Sequence, residues 1–166
     1  MNYVLYTDES PYKMQREWLD RLPFDIYSVN VHTGAKRLIG RSYRTAPKWS
    51  VNGKWAVMYD PIAQVWNKFD GATGKVVNIS DAIGYPMFME SYDKPAPAPA
   101  YGIAGWTADG NNVFLYDAYD WWKTDLTGER QPECLTKGYG RKHGKSIRKM
   151  TSNIAVSYTH LTLPTI

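Results

Sequence analysis

Residues 49–60, WSVNGKWAVMYD, decide the fold, because residues 106–117, WTADGNNVFLYD, repeat them at a constant offset of 57 positions. Tryptophan opens both copies, Asn-Gly or Asp-Gly occupies the same place in each, and Tyr-Asp closes both. Self-similarity at a fixed period is typical of repeat architectures, in which each unit buries its apolar face against the next unit. The sequence therefore predicts successive copies of one structural unit.

Each copy begins with a predicted β-hairpin. The dipeptides Asn-Gly at 52–53 and Asp-Gly at 109–110 favour the positive φ angles of two-residue hairpin turns. The runs that follow, 55–59 and 113–116, are short and almost entirely apolar, which indicates strands covered on both faces.

A second strand–turn–strand element follows in each copy and also occurs near the amino terminus. Its predicted strands are residues 64–70 and 75–80, 121–125 and 129–136, and 24–30 and 35–39, with an apolar strand at 3–6 before the last pair. Four strands per repeat are typical of a β-propeller blade. The predicted fold is therefore all-β, a partial β-propeller of antiparallel sheets over residues 1–155. It has two complete four-stranded blades at about 49–81 and 106–136 and one partial blade at about 1–40.

Two insertions interrupt the repeat. The first, residues 8–23, is predicted to form a short helix with Met14, Trp18 and Leu22 along one face. The second, residues 82–104, contains alternating prolines that favour an extended, polyproline-like loop. Insertions on repeat folds often carry binding contacts.

Three carboxylates in these insertions, Glu9, Glu17 and Glu90, are the candidate substrate-binding residues. An enzyme that acts on peptides can use a carboxylate to bind the free amino terminus of its substrate. The alternative interpretation is an ordinary solvated surface charge, because a lone charge on an exposed segment carries little specificity.

No catalytic residue, metal ligand set or cofactor site is predicted. Ser146 lies in the string GKSIR, which has arginine where a nucleophile elbow requires its second glycine. None of the three histidines has a ligand partner three or four positions away. Cys134 is the single cysteine, which excludes an internal disulfide and indicates a small buried hydrophobe. Asp60, Asp117 and Asp120 are expected to bond backbone groups at strand ends.

Composition indicates a globular, β-rich chain. Aromatic residues make up 14%, including 13 Tyr and 7 Trp, and such residues pack well on pleated surfaces. The net charge of +4 is concentrated at 141–149, where the alternatives are a nucleic-acid contact and a solvated loop or strand edge, and the second is favoured. No stretch approaches the roughly 20 apolar residues that span a bilayer, so no membrane span is predicted.

The repeated Trp-Ser/Thr-x-Asn/Asp-Gly units resemble those in the propeller of prolyl oligopeptidase-type serine peptidases. Three further strings strengthen the resemblance: YDAYDW at 116–121, GYGR at 138–141 and YGIAGWT at 101–107. The last string is similar to bacterial members of the family, which include dipeptidyl and aminoacyl peptidases. The resemblance covers most of residues 1–150.

In that family the propeller caps an α/β-hydrolase domain with a Ser, Asp, His triad and restricts access to short peptides. The resemblance therefore implies a non-catalytic segment that gates peptide access to a hydrolase domain outside this sequence. It also implies an exported, periplasmic bacterial protein. Dipeptidyl members hold the substrate amino group with an adjacent glutamate pair, and this sequence has no Glu-Glu.

Two alternatives from other functional classes accompany this interpretation. The first is a propeller that acts as a protein or peptide interaction module without enzymatic activity. The second is a carbohydrate-binding β domain, which is less favoured because the tryptophans recur at positions expected to pack between blades.

Residues 156–166 look like a tail of non-native origin. The string VSYTHLTLPT at 156–165 matches one reading frame of the mosaic end of a transposon library adapter. We expect such a tail to contribute nothing to the fold and the chain to be a piece of a longer protein.

Overall fold

A computed structural model describes residues 2–19 and 21–149. The adapter-like tail at 156–166 lies outside the described residues. Within them, eleven strands form three antiparallel sheets, and none of these sheets closes on itself. The all-β prediction, with antiparallel sheets, is confirmed.

In each sheet, every strand pairs with the next strand along the chain. The first sheet consists of β1 (Tyr3–Asp8), β2 (Phe24–Asn30) and β3 (Lys36–Tyr43). The second sheet consists of β4 (Lys48–Trp49), β5 (Trp55–Asp60), β6 (Val65–Asp70) and β7 (Val76–Asn78). The third sheet consists of β8 (Ile103–Trp106), β9 (Asn112–Tyr116), β10 (Trp121–Asp125) and β11 (Glu133–Cys134).

An Asx turn recurs where a strand of these sheets ends. The Oδ1 atom of a terminal Asn or Asp accepts hydrogen bonds from backbone N–H groups two or three residues later. These side chains mimic a backbone turn and so stop each strand at a defined residue. The residues are Asn30, Asp60, Asp70 and Asn78. For Asp60 this confirms the role expected from the sequence.

The turn at 50–53 is a longer connection than the two-residue hairpin expected from Asn-Gly. The Gly53 N–H donates to the Ser50 carbonyl oxygen at 2.9 Å, and only Gly53 in this turn has positive φ, at 68°. The equivalent Gly110 N–H donates to Thr107 at 2.9 Å, with φ of 69° at Gly110. Two-residue type I′ turns need positive φ at both central residues, whereas a four-residue turn with one left-handed glycine does not.

The second sheet is buried on both faces. Ala56, Met58 and Phe69 pack against Phe24 and Ile26 of the first sheet. This contact buries one apolar core between the first and second sheets.

The opposite face of the second sheet packs on the third sheet. Val57, Tyr59 and Trp66 form this second core with Val113 and Leu115. Side chains on a strand point alternately to its two faces, so the continuous apolar run of β5 supplies both cores. For β5 the prediction of a strand covered on both faces is confirmed.

For β9 the same prediction is only half right. Val113 and Leu115 are fully buried, whereas Phe114 and Tyr116, on the opposite face, are half-buried. The described residues place no further sheet over that outer face, which explains the difference from β5.

The helix predicted in the first insertion is wrong in type and in its buried face. The segment forms a 3₁₀ helix over Ser10–Gln15, with Met14 85% exposed and Trp18 72% exposed, whereas Leu22 is buried. The element ends at Gln15, so Trp18 and Leu22 lie beyond it, and a 3₁₀ helix with three residues per turn does not align positions four apart. The second insertion carries an isolated bridge between Phe88 and Ala100, with no strand through the proline run.

Candidate functional site

The candidate site lies at the end of the third sheet, where the 117–120 turn meets the short helix α1 (Tyr139–His143). Two carboxylates anchor it: Asp117 is 0% exposed and Asp120 is 2% exposed. Buried carboxylates of this kind require hydrogen-bond or ionic partners.

Asp117 accepts hydrogen bonds with both of its oxygens. Its Oδ1 accepts the backbone N–H groups of Tyr119 and Asp120 at 2.7 and 2.6 Å. Its Oδ2 accepts the indole N–H of Trp122 at 3.0 Å and faces Nη2 of Arg141 at 3.4 Å. The strand-end role expected for Asp117 therefore holds, with an ion pair in addition.

Asp120 joins the turn to α1 and to the segment after β11. Its Oδ1 accepts the Thr136 hydroxyl at 2.5 Å and the Gly140 N–H at 2.9 Å, and its Oδ2 accepts the Arg141 N–H at 3.0 Å. Burial favours the neutral acid, but these hydrogen bonds and the Arg141 charge outweigh it and lower the pKa of Asp120. Asp120 is therefore a carboxylate at neutral pH.

Gly140 allows this close approach of α1 to the turn. A Cβ atom there would lie 2.6 Å from the Tyr119 carbonyl oxygen and 2.9 Å from Asp120 Oδ1. The string GYGR therefore has a geometric reason for its second glycine, which is that any side chain would push α1 away from Asp120.

The guanidinium group of Arg141 contacts two aromatic rings and the carboxylate of Asp117. The guanidinium carbon lies 4.1 Å from the centre of the Tyr85 ring and 5.0 Å from that of Tyr119, both cation–π distances. Its side chain remains 28% exposed. Within residues 2–19 and 21–149, Nη2 is the only guanidinium nitrogen with an acceptor, and Nε is buried without one.

Arg148 also points back onto the third sheet. Its Nη2 donates to the carbonyl oxygens of Asp117 and Ala118 at 2.8 and 3.1 Å, and its guanidinium lies over the rings of Tyr116 and Tyr101. Arg141 and Arg148, both from the basic run at 141–149, thus serve intramolecular contacts.

A cavity of about 420 Å³ opens beside these groups, and we call it the Arg141 cavity. It combines two aromatic side chains, three cations and one buried carboxylate. Its lining residues are Tyr85, Asp120, Trp122, Cys134, Lys137, Gly138, Arg141 and Lys142. Its volume lies within the roughly 300–1,000 Å³ of typical ligand pockets.

A second cleft, of about 500 Å³, lies among the turns at the edge of the first and second sheets. Asn52, Lys54, Trp55 and Asp70 are among its lining residues, and none of these four is fully buried. The Arg141 cavity is the better candidate because buried, fully bonded charges fix the position of its arginine.

The three predicted substrate-binding carboxylates lie elsewhere. Glu9, Glu17 and Glu90 are all exposed, Glu9 and Glu17 beside the 3₁₀ helix and Glu90 in the connection 79–102. Among the described residues, no hydrogen bond or ion pair joins the side chains of any two of them. They do not line the Arg141 cavity.

The other reactive side chains have structural neighbours. The Ser146 hydroxyl donates to the Ala118 carbonyl oxygen at 3.0 Å, and the His143 ring stacks on Tyr139 with centres 4.1 Å apart. Cys134 is half-buried and its Sγ accepts the Gly138 N–H at 3.3 Å, so it is more than an apolar filler.

No group of three or more His, Cys, Asp or Glu side chains in the described part of the chain is arranged to hold a metal ion. Across the same residues, no helix has the length and apolar character needed to cross a membrane.

Sequence reasoning identified Asp117 and Asp120 but missed Tyr85, Trp122 and Lys137 as neighbours of one cavity. Tyr85 comes from the connection between two sheets, and no spacing rule relates it to Arg141. The available signal was the pair of strings YDAYDW and GYGR, whose aspartates and arginine do meet.

No family model matches this sequence, and a search of curated proteins found no match to it.

Proposed function

We propose that this chain is a β-propeller segment of a serine peptidase of the prolyl oligopeptidase type, in which it gates peptide access to an α/β-hydrolase domain. The observation that carries the propeller part is the burial of the second sheet on both faces, with Met58 in one core and Val57 in the other. Propeller blades are antiparallel four-stranded meanders stacked face to face, which makes such two-sided burial necessary.

Contacts between equivalent turns support the same arrangement. Asn52 Nδ2 donates to the Asp109 carbonyl oxygen at 2.8 Å, and these residues occupy positions of the two repeats that lie 57 residues apart. A further bond joins the same two sheets: the ammonium group of Lys68, in β6, donates to the carbonyl oxygen of Leu126, which follows β10. Repeats that contact each other through turns at one end are stacked in register.

The two outer faces of the stack would receive further blades. On the first sheet, the exposed ring of Tyr6 stacks on the half-buried ring of Tyr27 with centres 5.2 Å apart, beneath Lys36. On the third sheet, Phe114 and Tyr116 are half-buried. Apolar faces of this kind are typical of surfaces that pack against another layer.

The peptidase part of the proposal rests on the resemblance of residues 101–107, 116–121 and 138–141 to the family. Acyl transfer would be performed by a serine, activated by histidine, in the hydrolase domain, and backbone N–H groups there would stabilise the oxyanion. This segment would select peptides by size, with Glu9, Glu17 and Glu90 as candidate contacts for the substrate amino group. An exported, periplasmic bacterial location belongs to the same proposal.

The test is to read the source DNA across the codon for Ala155 and to express the extended protein. We expect further blades followed by Gly-x-Ser-x-Gly, labelling by a fluorophosphonate serine-hydrolase probe, and turnover of short peptides. The 166-residue chain is the control and should neither label nor turn over peptide. A reading frame with blades but no hydrolase motif, or an extended protein that fails to label, would contradict the proposal.

An interaction module is the second candidate, and the Arg141 cavity favours it. A site with fixed charges and aromatic walls can bind a peptide without any catalytic group. A stop codon after closing blades would support this alternative.

A further inference from the structure

We propose that the Arg141 cavity is a binding site for a peptide carboxylate, with Tyr85 and Trp122 receiving the apolar part of the same peptide. This inference goes beyond the peptidase proposal and does not depend on a hydrolase domain.

The cavity has an excess of positive charge that is open to solvent. Lys137, Arg141 and Lys142 line it, against the single lining carboxylate of Asp120. Lys137 and Lys142 are both exposed, and within the described residues neither forms an ion pair. A concave site in which cations outnumber carboxylates attracts anions.

The two buried carboxylates do not satisfy this charge. Asp117 and Asp120 already accept hydrogen bonds on all four of their oxygens, mostly from the backbone of the turn and of α1. They hold the guanidinium of Arg141 in place through Asp117 Oδ2, on Nη2 alone. Arg141 is therefore held in place. Its Nε is buried, and its Nη1 is the nitrogen that is neither buried nor bonded to an acceptor within the described residues. A guanidinium N–H donates a strong, charge-assisted hydrogen bond to a carboxylate.

The aromatic side chains that line the Arg141 cavity indicate that its ligand has an apolar group next to the carboxylate. The rings of Tyr85 and Trp122 have centres 6.0 Å apart at an angle of 45°, and Tyr85 is 44% exposed. Aromatic surface beside a charged group binds ligands that carry both characters. A peptide with a carboxylate next to an apolar side chain fits this combination better than a small inorganic anion does.

The carboxylate could belong to an acidic side chain or to the carboxyl terminus of the peptide, and three probes distinguish these sources. Acetyl-Phe-Glu-amide carries only a side-chain carboxylate, acetyl-Phe-Gly carries only a terminal one, and acetyl-Phe-Gln-amide carries neither. Binding to the full chain is measured by ¹H–¹⁵N NMR titration. The indole N–H of Trp122 is the reporter because it donates to Asp117 at the edge of the cavity.

We expect at least one carboxylate probe to bind about tenfold more tightly than the neutral probe, given the strength of charge-assisted hydrogen bonds. Inorganic phosphate should bind more weakly than that probe, since it has no apolar part. If the neutral probe binds as tightly as both carboxylate probes, or if no probe binds, the proposal is wrong.

The variant K137Q/K142Q removes two exposed cations, and we expect it to weaken carboxylate binding about fivefold, as for exposed ion pairs. The matched control is K145Q/K149Q, which makes the same change of net charge at exposed lysines outside the cavity. If both variants lose the same affinity for the carboxylate probes, the attraction is non-specific and the proposed site is wrong. Because all four lysines are exposed, both variants should fold, and circular dichroism checks this.

The result is separable from that of the peptidase proposal. Carboxylate binding with no hydrolase motif downstream would leave the cavity proposal standing and remove the peptidase proposal. Peptidase activity in the extended protein, without carboxylate binding at the Arg141 cavity, would support the peptidase proposal and contradict the cavity proposal.

Discussion

Asp120 illustrates how a single residue connects three parts of this protein. Its carboxylate accepts hydrogen bonds from Thr136, Gly140 and Arg141, so one buried group joins the β9–β10 turn, the segment after β11 and α1. A carboxylate in this position was expected at a strand end from sequence alone. Asp120 also positions the residues around Arg141. This second role depends on hydrogen bonds to Gly140 and Arg141, which lie 20 and 21 residues further along the chain, and only the tertiary structure shows them.

Replacing this carboxylate should destabilise the protein strongly. We expect Asp120→Ala to lower the free energy of unfolding by about 3 kcal/mol, because it leaves buried donors without acceptors and removes a counter-charge of Arg141. Urea unfolding followed by tryptophan fluorescence measures the change. The control Asp93→Ala removes an exposed carboxylate and should change stability by less than about 0.5 kcal/mol. A loss below 1 kcal/mol for Asp120→Ala would contradict the structural role assigned to these hydrogen bonds.

At the scale of elements, the turns do more than connect strands. The 50–53 turn and the 107–110 turn have the same hydrogen bond and the same left-handed glycine, and Asn52 links one to the other. Repetition in the sequence predicted that both turns exist. The contact between them depends on how the second and third sheets pack, which no local pattern specifies.

A comparison of Gly34 with Gly110 distinguishes two reasons for a glycine in a turn: its left-handed backbone, and close packing against a neighbouring residue. Gly110 has φ of 69° and Gly34 has φ of 70°, but a Cβ at Gly110 would lie 2.7 Å from Asn52 Cγ, whereas a Cβ at Gly34 meets nothing within 4 Å. We expect Gly34→Ala to cost about 1 kcal/mol, the strain of left-handed backbone, and Gly110→Ala to cost about 1–2 kcal/mol more. Thermal or urea unfolding compares the two variants. Equal losses would mean that the turn of the second sheet does not pack on that of the third as described.

At the scale of the whole molecule, two cores on either side of one sheet hold the three sheets together. Tyr43 lies in the core between the first and second sheets, and Tyr59 lies in the core between the second and third. Burial raises the pKa of each to about 12, with the nearby Asp60 charge acting in the same direction and an Asn67 hydrogen bond opposing it at Tyr43. Both cores therefore contain a tyrosine that must stay neutral.

We expect the free energy of unfolding to fall in alkaline solution because Tyr43 and Tyr59 are buried. Because their pKa in the folded protein is above the value of about 10 in the unfolded chain, their contribution is fully present below pH 10 and is lost as the pH rises toward 12. Urea midpoints between pH 8 and pH 11.5 measure the decline, and tyrosinate absorbance follows the ionisation.

Tyr43→Phe should make that alkaline decline smaller, since one of the groups with a raised pKa no longer titrates. Tyr139→Phe, at a ring 52% exposed, is the control and should leave the decline unchanged. A Tyr43→Phe variant with the full decline would place the alkaline sensitivity outside the cores.

The sequence by itself indicated an all-β chain and the approximate positions of most strands, because short apolar runs and turn residues are local physical signals. It placed β11 too broadly, at 129–136 instead of Glu133–Cys134, and it ended β3 at 39 although the strand continues to Tyr43. It also determined that β5 is apolar on both faces. The predicted apolar helix face was wrong: Met14 and Trp18 have helical spacing, yet Met14 is exposed within a 3₁₀ helix and Trp18 is exposed after its end.

Only the tertiary structure decided which surfaces meet. The Arg141 cavity joins Tyr85 from a connection, Trp122 from β10 and Lys137 from the segment before α1, and these residues share no spacing along the chain. Strand formation depends on neighbours a few residues away, whereas a cavity depends on how whole sheets pack. That packing follows from burying Ala56 and Met58 on one side of a strand and Val57 and Tyr59 on the other, and it alone brings the charges of the candidate site together.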